Sequence, residues 1–453
     1  MARHRSNLLL SPRLFELESR LLPSVSLLGD FNKDTFGSNV ADVTVVGSQV
    51  FYTAEDGSGN RALWKTDGTP GNATKLRDIC PGSGQEIGNI RIAANLTNVN
   101  GTLFFSAFSF DTKGTELWKT DGTSDGTKMV KNIKADGALP QFLDDGPKFL
   151  TNVSGTLYFT ANDGTSGREL WKSDGSETGT VMVRDICPRL NAGSFGDPPP
   201  STLYGPRNLV NVGGTLYFSA NDGSSGYELW KSGGTAATTS RVMDINSGAG
   251  SSNPENLTNL NGVLYFGAED GKSTVGIQLW RTTGAGGAEL VTGIPYSAAQ
   301  RFLPQGLTVA GDGVYFHANG RLLKVNATGA SLVGEFLNPL LEGGAKNFAN
   351  VNGTLYFGVG GGLWKTTGSP ETAVLVQDNL NPYGLTNING TLYFRANDGA
   401  SGLELWKLEG TTPSRVADIN PGPAGSAPFG FVPVGSSVAF VADDGSHGSE
   451  LWF

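Results

Sequence analysis

The sequence predicts an all-β chain: a single β-propeller of nine four-stranded antiparallel blades, its ring closed by an N-terminal strand that completes the last blade. Three observations lead there. A core of the form Gly-x-Glu-Leu-Trp-Lys-x-Asp-Gly-(Ser/Thr), clearest between Phe149 and Cys187, recurs from one end of the chain to the other. The 453 residues include 65 Gly and 22 Pro but only 17% charged residues, which suits short strands and tight turns and lacks the Ala/Glu/Lys/Leu richness of helical proteins. The two ends of the chain carry complementary parts of one unit.

Two segments are expected, 1–24 and 25–453. The opening MARHRSNLLLSPRLFELESRLLPS is basic like a signal peptide, but its apolar run, Leu8 to Leu10, is too short for one. Leu17-Glu18-Ser19-Arg20-Leu21-Leu22-Pro23-Ser24 resembles a short tag at the head of large extracellular bacterial proteins, which implies export; the alternative is a disordered tail. No apolar run is long enough to span a bilayer. A net charge of −9 with scattered Lys leaves no stripe for phosphate backbones, so nucleic acid is not an expected partner.

Aligning the units places Trp64, Trp118, Trp171, Trp230, Trp280, Trp364, Trp406 and Trp452 at one position, which uses all eight tryptophans. A wide gap between Trp280 and Trp364 holds a ninth unit with Leu323 where Trp should stand. Its four candidate strands, LTVAG, VYFHAN, RLLKVN and ASLVGEF, favour nine blades; as a degenerate insertion it would leave eight. In the Phe149 unit an apolar first strand runs to Val153 and a turn follows. Elsewhere that turn is Asn-Gly, as at Asn100-Gly101, Asn261-Gly262, Asn352-Gly353 and Asn389-Gly390, the mark of a two-residue hairpin with positive φ. The second strand, TLYF, is apolar on both faces, as a sheet sandwiched between layers requires. Asn162-Asp163-Gly164 then turns into RELWK, and Asp174-Gly175 into VMVRDI, with no room for a helix.

Such units cannot bury both faces alone, so blades must stack and the ring must close. The last unit stops at Glu450-Leu451-Trp452-Phe453, after its third strand. Val25 to Asn32, ending Gly29-Asp30-Phe31-Asn32, matches the fourth-strand ending Ala417-Asp418-Ile419-Asn420 and is expected to pair into the last blade.

With these residues in view, the chain resembles the ELWxxDGT repeat family of bacterial proteins. The motif stands nearly intact from Glu116 to Thr123 and at Glu169-Leu170-Trp171 with Asp174-Gly175-Ser176, and is degraded at Gln278-Leu279-Trp280. The resemblance covers residues 25 to 453 and implies a propeller-like fold and an extracellular or surface location, but no agreed activity.

Chemistry is sparse. There are three His, His4, His317 and His447, and no Gly-x-Ser-x-Gly or His-Glu-x-x-His. An acidic set recurs as Asp163, Glu169 and Asp185; as Asp222, Glu228 and Asp244; as Asp398, Glu404 and Asp418; and across the closure as Asp444, Glu450 and Asp30. These are candidate Ca²⁺ ligands, with turn-fixing bonds to backbone N–H groups as the alternative. No other cofactor is expected. One Trp per blade beside Leu reads as interblade core, with sugar stacking as the rival. The face carrying the long connection Cys187 to Asn208 stands high, and the short turns at His317-Ala318-Asn319-Gly320 and Gly358 to Gly362 leave it low.

The expected function is a non-enzymatic, monomeric binding or adhesion scaffold outside the cell, working through that face on a protein or glycan. A lectin-like propeller and a propeller glycan-active enzyme are the alternatives, the latter needing carboxylates outside the repeat register.

Overall fold

The computed structural model describes residues 25–30, 37–57, 61–80, 93–109, 114–134, 146–188, 205–272, 276–284, 286–294, 304–336, 346–369 and 372–453. Among them the strands form nine sheets, eight of four strands in sequential order and one of three. The blades span 41–80, 93–131, 148–184, 207–241, 255–290, 305–335, 346–377, 383–415 and 429–452. A short 3₁₀ turn, Ala236–Thr238, lies within an all-β architecture.

The ring closes as the chain ends predict. Leu27 bridges Trp452 antiparallel, and Ser26 N donates to Phe453 O at 2.9 Å while Leu28 N donates to Leu451 O at 3.0 Å. The N-terminal segment is therefore the fourth strand of blade 9. The first strands of consecutive blades pack side by side all the way round, that of blade 9 (Phe429–Val434) returning to that of blade 1 (Ala41–Val46). They line the channel.

Each apolar cluster lies between two blades. Phe104 and Leu117 of blade 2 pack with Phe159 and Trp171 of blade 3, and Leu28 of the closing strand packs with Val50 and Tyr52 of blade 1. Burying such side chains stabilises by about 1.5–3 kcal/mol each, a gain available only when the neighbouring blade is present. The repeated Trp is part of this core: Trp171 pairs with Phe159 across the second and third strands, rings 6.4 Å apart. Leu323 pairs with Phe316 at the same register, and it sits 1% exposed between blades 5 and 6. The chain thus has nine blades and not eight.

The turns follow the sequence. Asn100 and Gly101 both take positive φ (51° and 85°), and Asp174 Oδ1 accepts from Ser176 N at 2.8 Å, so the recurrent Asp-Gly-(Ser/Thr) builds its own turn. No helix among the described residues is long and apolar enough to cross a membrane. The export-tag segment 1–24 and most of the long connection, 189–204, lie outside the described residues.

Candidate functional site at the channel mouth

In every blade the chain runs down the first strand, up the second, down the third and up the fourth. The start of each first strand, the second-to-third turns and the links between blades therefore share one face. The acidic sets lie on this face.

Their Glu residues are buried ties. Glu228 accepts from Ile245 N at 2.9 Å, Ser252 N at 3.1 Å and Ser252 Oγ at 2.6 Å. Glu404 is held alike by Ile419 N and by Ser426 N and Oγ. Glu169 accepts from Ile186 N at 2.9 Å and Cys187 N at 3.3 Å. Burial pushes Glu169 up to about 8, against the pull of those two bonds, and the charges of Asp185 and Asp163 add to the rise.

The turn Asp residues bond locally. Asp163 Oδ1 accepts from Thr165 N and Ser166 N, Asp222 Oδ1 from Ser224 N and Ser225 N, and Asp398 Oδ1 from Ala400 N and Ser401 N. Between turn Asp and strand-end Asp stands a cation in two of the sets: Arg241 reaches Asp222 (4.0 Å) and Asp244 (3.7 Å), and Arg415 reaches Asp398 (3.9 Å) and Asp418 (3.5 Å). Asp185 has Met182 at the corresponding place. Among the described residues no group of three or more His, Cys, Asp or Glu is arranged to hold a metal ion. The carboxylates that suggested Ca²⁺ are brought together as backbone ties and ion pairs. His317 is structural as well: its Nε2 accepts from Gly320 N at 3.0 Å and closes the short turn of blade 6.

A departure from the repeat lies at the channel. Near its start every first strand carries one residue of positive φ, in register around the ring: Asp42, Asn95, Phe149, Asn208, Asn256, Gly306, Asn347, Gly384 and Gly430. Asp, Asn and Gly tolerate this conformation, whereas for a bulky side chain it is strained. Phe149, at φ 55°, is the exception. The Asn residues do more than tolerate it, because Nδ2 of Asn208, Asn256 and Asn347 donates to the carbonyls of Pro254, Pro304 and Pro382 of the next blade. No such bond is open to Phe149, which has no side-chain donor and is 40% exposed.

Cationic residues neighbour Phe149 in sequence and in register. Lys148 precedes it, and Arg207 holds the same register on the adjacent first strand, Arg207–Val212. The Arg207 guanidinium lies 3.9 Å over the Tyr227 ring. Arg168 is buried, its Nη1 donating to Gly146 O at 2.9 Å and Thr160 O at 3.1 Å. Burial and then the Arg168 charge hold Lys148 below the ordinary lysine value. The starts of the first strands of blades 3 and 4 thus carry an exposed Phe and cationic residues at neighbouring positions. The signal for Phe149 in the sequence appears only when the units are aligned by register, where Phe stands in a column of Asn, Asp and Gly.

No protein family and no curated protein matches this sequence. Solved structures do match in fold. A prolyl endopeptidase is 12% identical over 81% of this chain and 55% of its own, with a TM-score of 0.44. A puromycin-hydrolysing peptidase of Mycobacterium tuberculosis is 12% identical over 89% of this chain and 57% of its own, with a TM-score of 0.40. The β-propeller domain of the Trilobed protease from Pyrococcus furiosus is 9% identical over 92% of this chain and 93% of its own, with a TM-score of 0.36. The chain spans a little over half the length of the first two peptidases, and at these identities the likeness is one of fold. The expectations of a non-enzymatic adhesion scaffold and of no enzyme activity are corrected here: the solved structures that match this chain in fold include peptidases.

Proposed function

We propose that this propeller handles substrate: the channel mouth at blades 3 and 4 takes up an anionic ligand that presents an aromatic face, as a peptide acid with an aromatic side chain does. Phe149 carries this reading. An exposed ring kept at positive φ, where Asn would fit without strain and gain a bond to the next blade, is the sort of local sacrifice found at functional positions. Lys148, Arg168 and Arg207 supply the complementary charge. A carboxylate entering this corner compensates an ammonium already short of solvation, while the Phe149 ring offers a stacking surface. Peptide hydrolysis is the chemistry to assay first.

The test is titration of N-acetyl-phenylalanyl-glutamate into the protein by calorimetry, with release of free amine followed in parallel. Saturable binding that is lost in Phe149→Asn and weakened in Lys148→Met supports the proposal. Equal binding by Phe149→Asn and the parent protein would sink it, and absence of amine release would remove the hydrolytic part alone.

A further inference from the structure

The sequence holds five Asn-Gly pairs, beginning at Asn100, Asn261, Asn319, Asn352 and Asn389. Each is the tip of a two-residue hairpin, with both residues at positive φ. In such a pair no side chain shields the glycine nitrogen, and once that nitrogen gives up its proton it can attack the asparagine side-chain carbonyl. What holds the proton therefore matters.

In four of the five hairpins the holder is an amide oxygen three residues before the glycine. Asn98 Oδ1 accepts from Gly101 N at 2.9 Å, Asn259 from Gly262 at 3.0 Å, Asn350 from Gly353 at 2.9 Å and Asn387 from Gly390 at 2.9 Å. The fifth hairpin has His317 at the same spacing, and its Nε2 accepts from Gly320 N at 3.0 Å. The two caps have one geometry and different chemistry. An amide oxygen accepts a hydrogen bond without being a base at neutral pH, whereas a neutral imidazole nitrogen can take the proton. His317 is buried, and burial holds it below the ordinary histidine value, which keeps it neutral and accepting at neutral pH. Asn319 and Gly320 are partly exposed, so water reaches the turn.

We propose that Asn319 is a self-modification site, an asparagine that deamidates with His317 as general base. Nε2 takes the proton from Gly320 N, and that nitrogen attacks Cγ of Asn319 to close a five-membered succinimide. The proton passes to Nδ2 of Asn319, which leaves as ammonia when its bond to Cγ breaks. Water then opens the ring at one of its two carbonyls and leaves aspartate or isoaspartate at position 319. Nothing is oxidised or reduced, and water is the co-reactant. The ring closes between residues adjacent in sequence, so no other segment has to move. Because this turn joins the second and third strands of blade 5, on the face of the channel mouth, the product places a new negative charge on that face whether or not a ligand binds at Phe149.

The test is incubation of the full chain at neutral pH, followed by rapid digestion and mass spectrometry that scores deamidation at all five pairs in one sample. Asn319 is expected to react at least about tenfold faster than each of the other four, and the difference is expected to vanish in urea, where no cap persists. His317→Asn rebuilds the cap of the other four hairpins and is expected to bring Asn319 down to their rate. A smaller difference in the folded parent, a preference for Asn319 that persists in urea, or a rate unmoved by His317→Asn overturns the proposal. The comparison within the parent protein decides even where the variant does not fold.

Discussion

Leu27 pairs with Trp452 across nearly the whole length of the sequence, and the bridge makes the N-terminal segment a structural strand of the last blade. Next to it Leu28 is 2% exposed in the cluster between blades 9 and 1. Leu28→Ala is expected to destabilise by about 2–4 kcal/mol, read as a lower urea midpoint. An unchanged midpoint would mean that ring closure contributes nothing to the stability of the fold.

Phe149→Asn is expected to raise stability by about 1 kcal/mol, since it removes positive-φ strain and offers Nδ2 to the blade 4 backbone as Asn208 does for Pro254. Phe149→Ala relieves neither, so its midpoint should stay close to that of the parent. A stability gain coupled to ligand loss in Phe149→Asn separates a functional ring from a merely tolerated one.

Leu323→Trp restores the repeat in sequence yet is expected to destabilise by about 1–3 kcal/mol. Leu323 is 1% exposed among Tyr265, Phe316 and Val325, a space already filled. Thermal melting of the single variant decides it; an unchanged or higher Tm would show slack in that seam.

Stability should peak in mildly acidic solution. Burial, against bonds from Ile133 and Lys134, pushes Glu116 up to about 7. Burial also pushes Glu450 up to about 7 against the Ser38 bonds, with the Asp30 charge adding to it, and Glu169 reaches about 8. These groups bind a proton more tightly folded than unfolded, so their contribution is full below the ordinary carboxylate range and is lost as pH rises through about 7 to 8. Asp222 and Asp444 act oppositely: burial raises them, but the bonds from Ser224 and Ser225, and from His447 and Ser446, outweigh it and hold both near 2. Their contribution is lost as pH falls from the ordinary range through about 2. Glu169→Gln should flatten the decline in melting temperature between pH 6 and pH 9; the same slope in both proteins would place the titration elsewhere.

Calcium is expected to leave the melting temperature unchanged within about 1 °C relative to chelator. Asp163, Asp222 and Asp398 already accept from their own turns, and Arg241 and Arg415 neutralise two of the sets. A calcium-dependent rise would return the acidic sets to the reading of metal ligands.

The repeat is a local record, and what it specifies locally was legible. The Trp column, the Asn-Gly turns, the ninth unit at Leu323 and the complementary chain ends each follow from short-range pattern, because φ preference, strand alternation and turn capping act over a few residues. The role of the acidic residues was only half legible. Their spacing showed that they recur, but whether three carboxylates face an ion, an arginine or a backbone N–H depends on packing between strand ends. Ser252 and Ser426 each stand three residues before a first strand, and only the fold places their hydroxyls on Glu228 and Glu404.

By itself, then, the sequence determined a nine-bladed ring and the partners of its ends, since burying two-faced blades admits few other solutions. Only the tertiary structure decided which deviations matter. Phe149, in a column of Asn, Asp and Gly, looks like drift in a linear repeat. It becomes an exposed residue at the channel mouth because closing the ring sets the first strands of adjacent blades side by side.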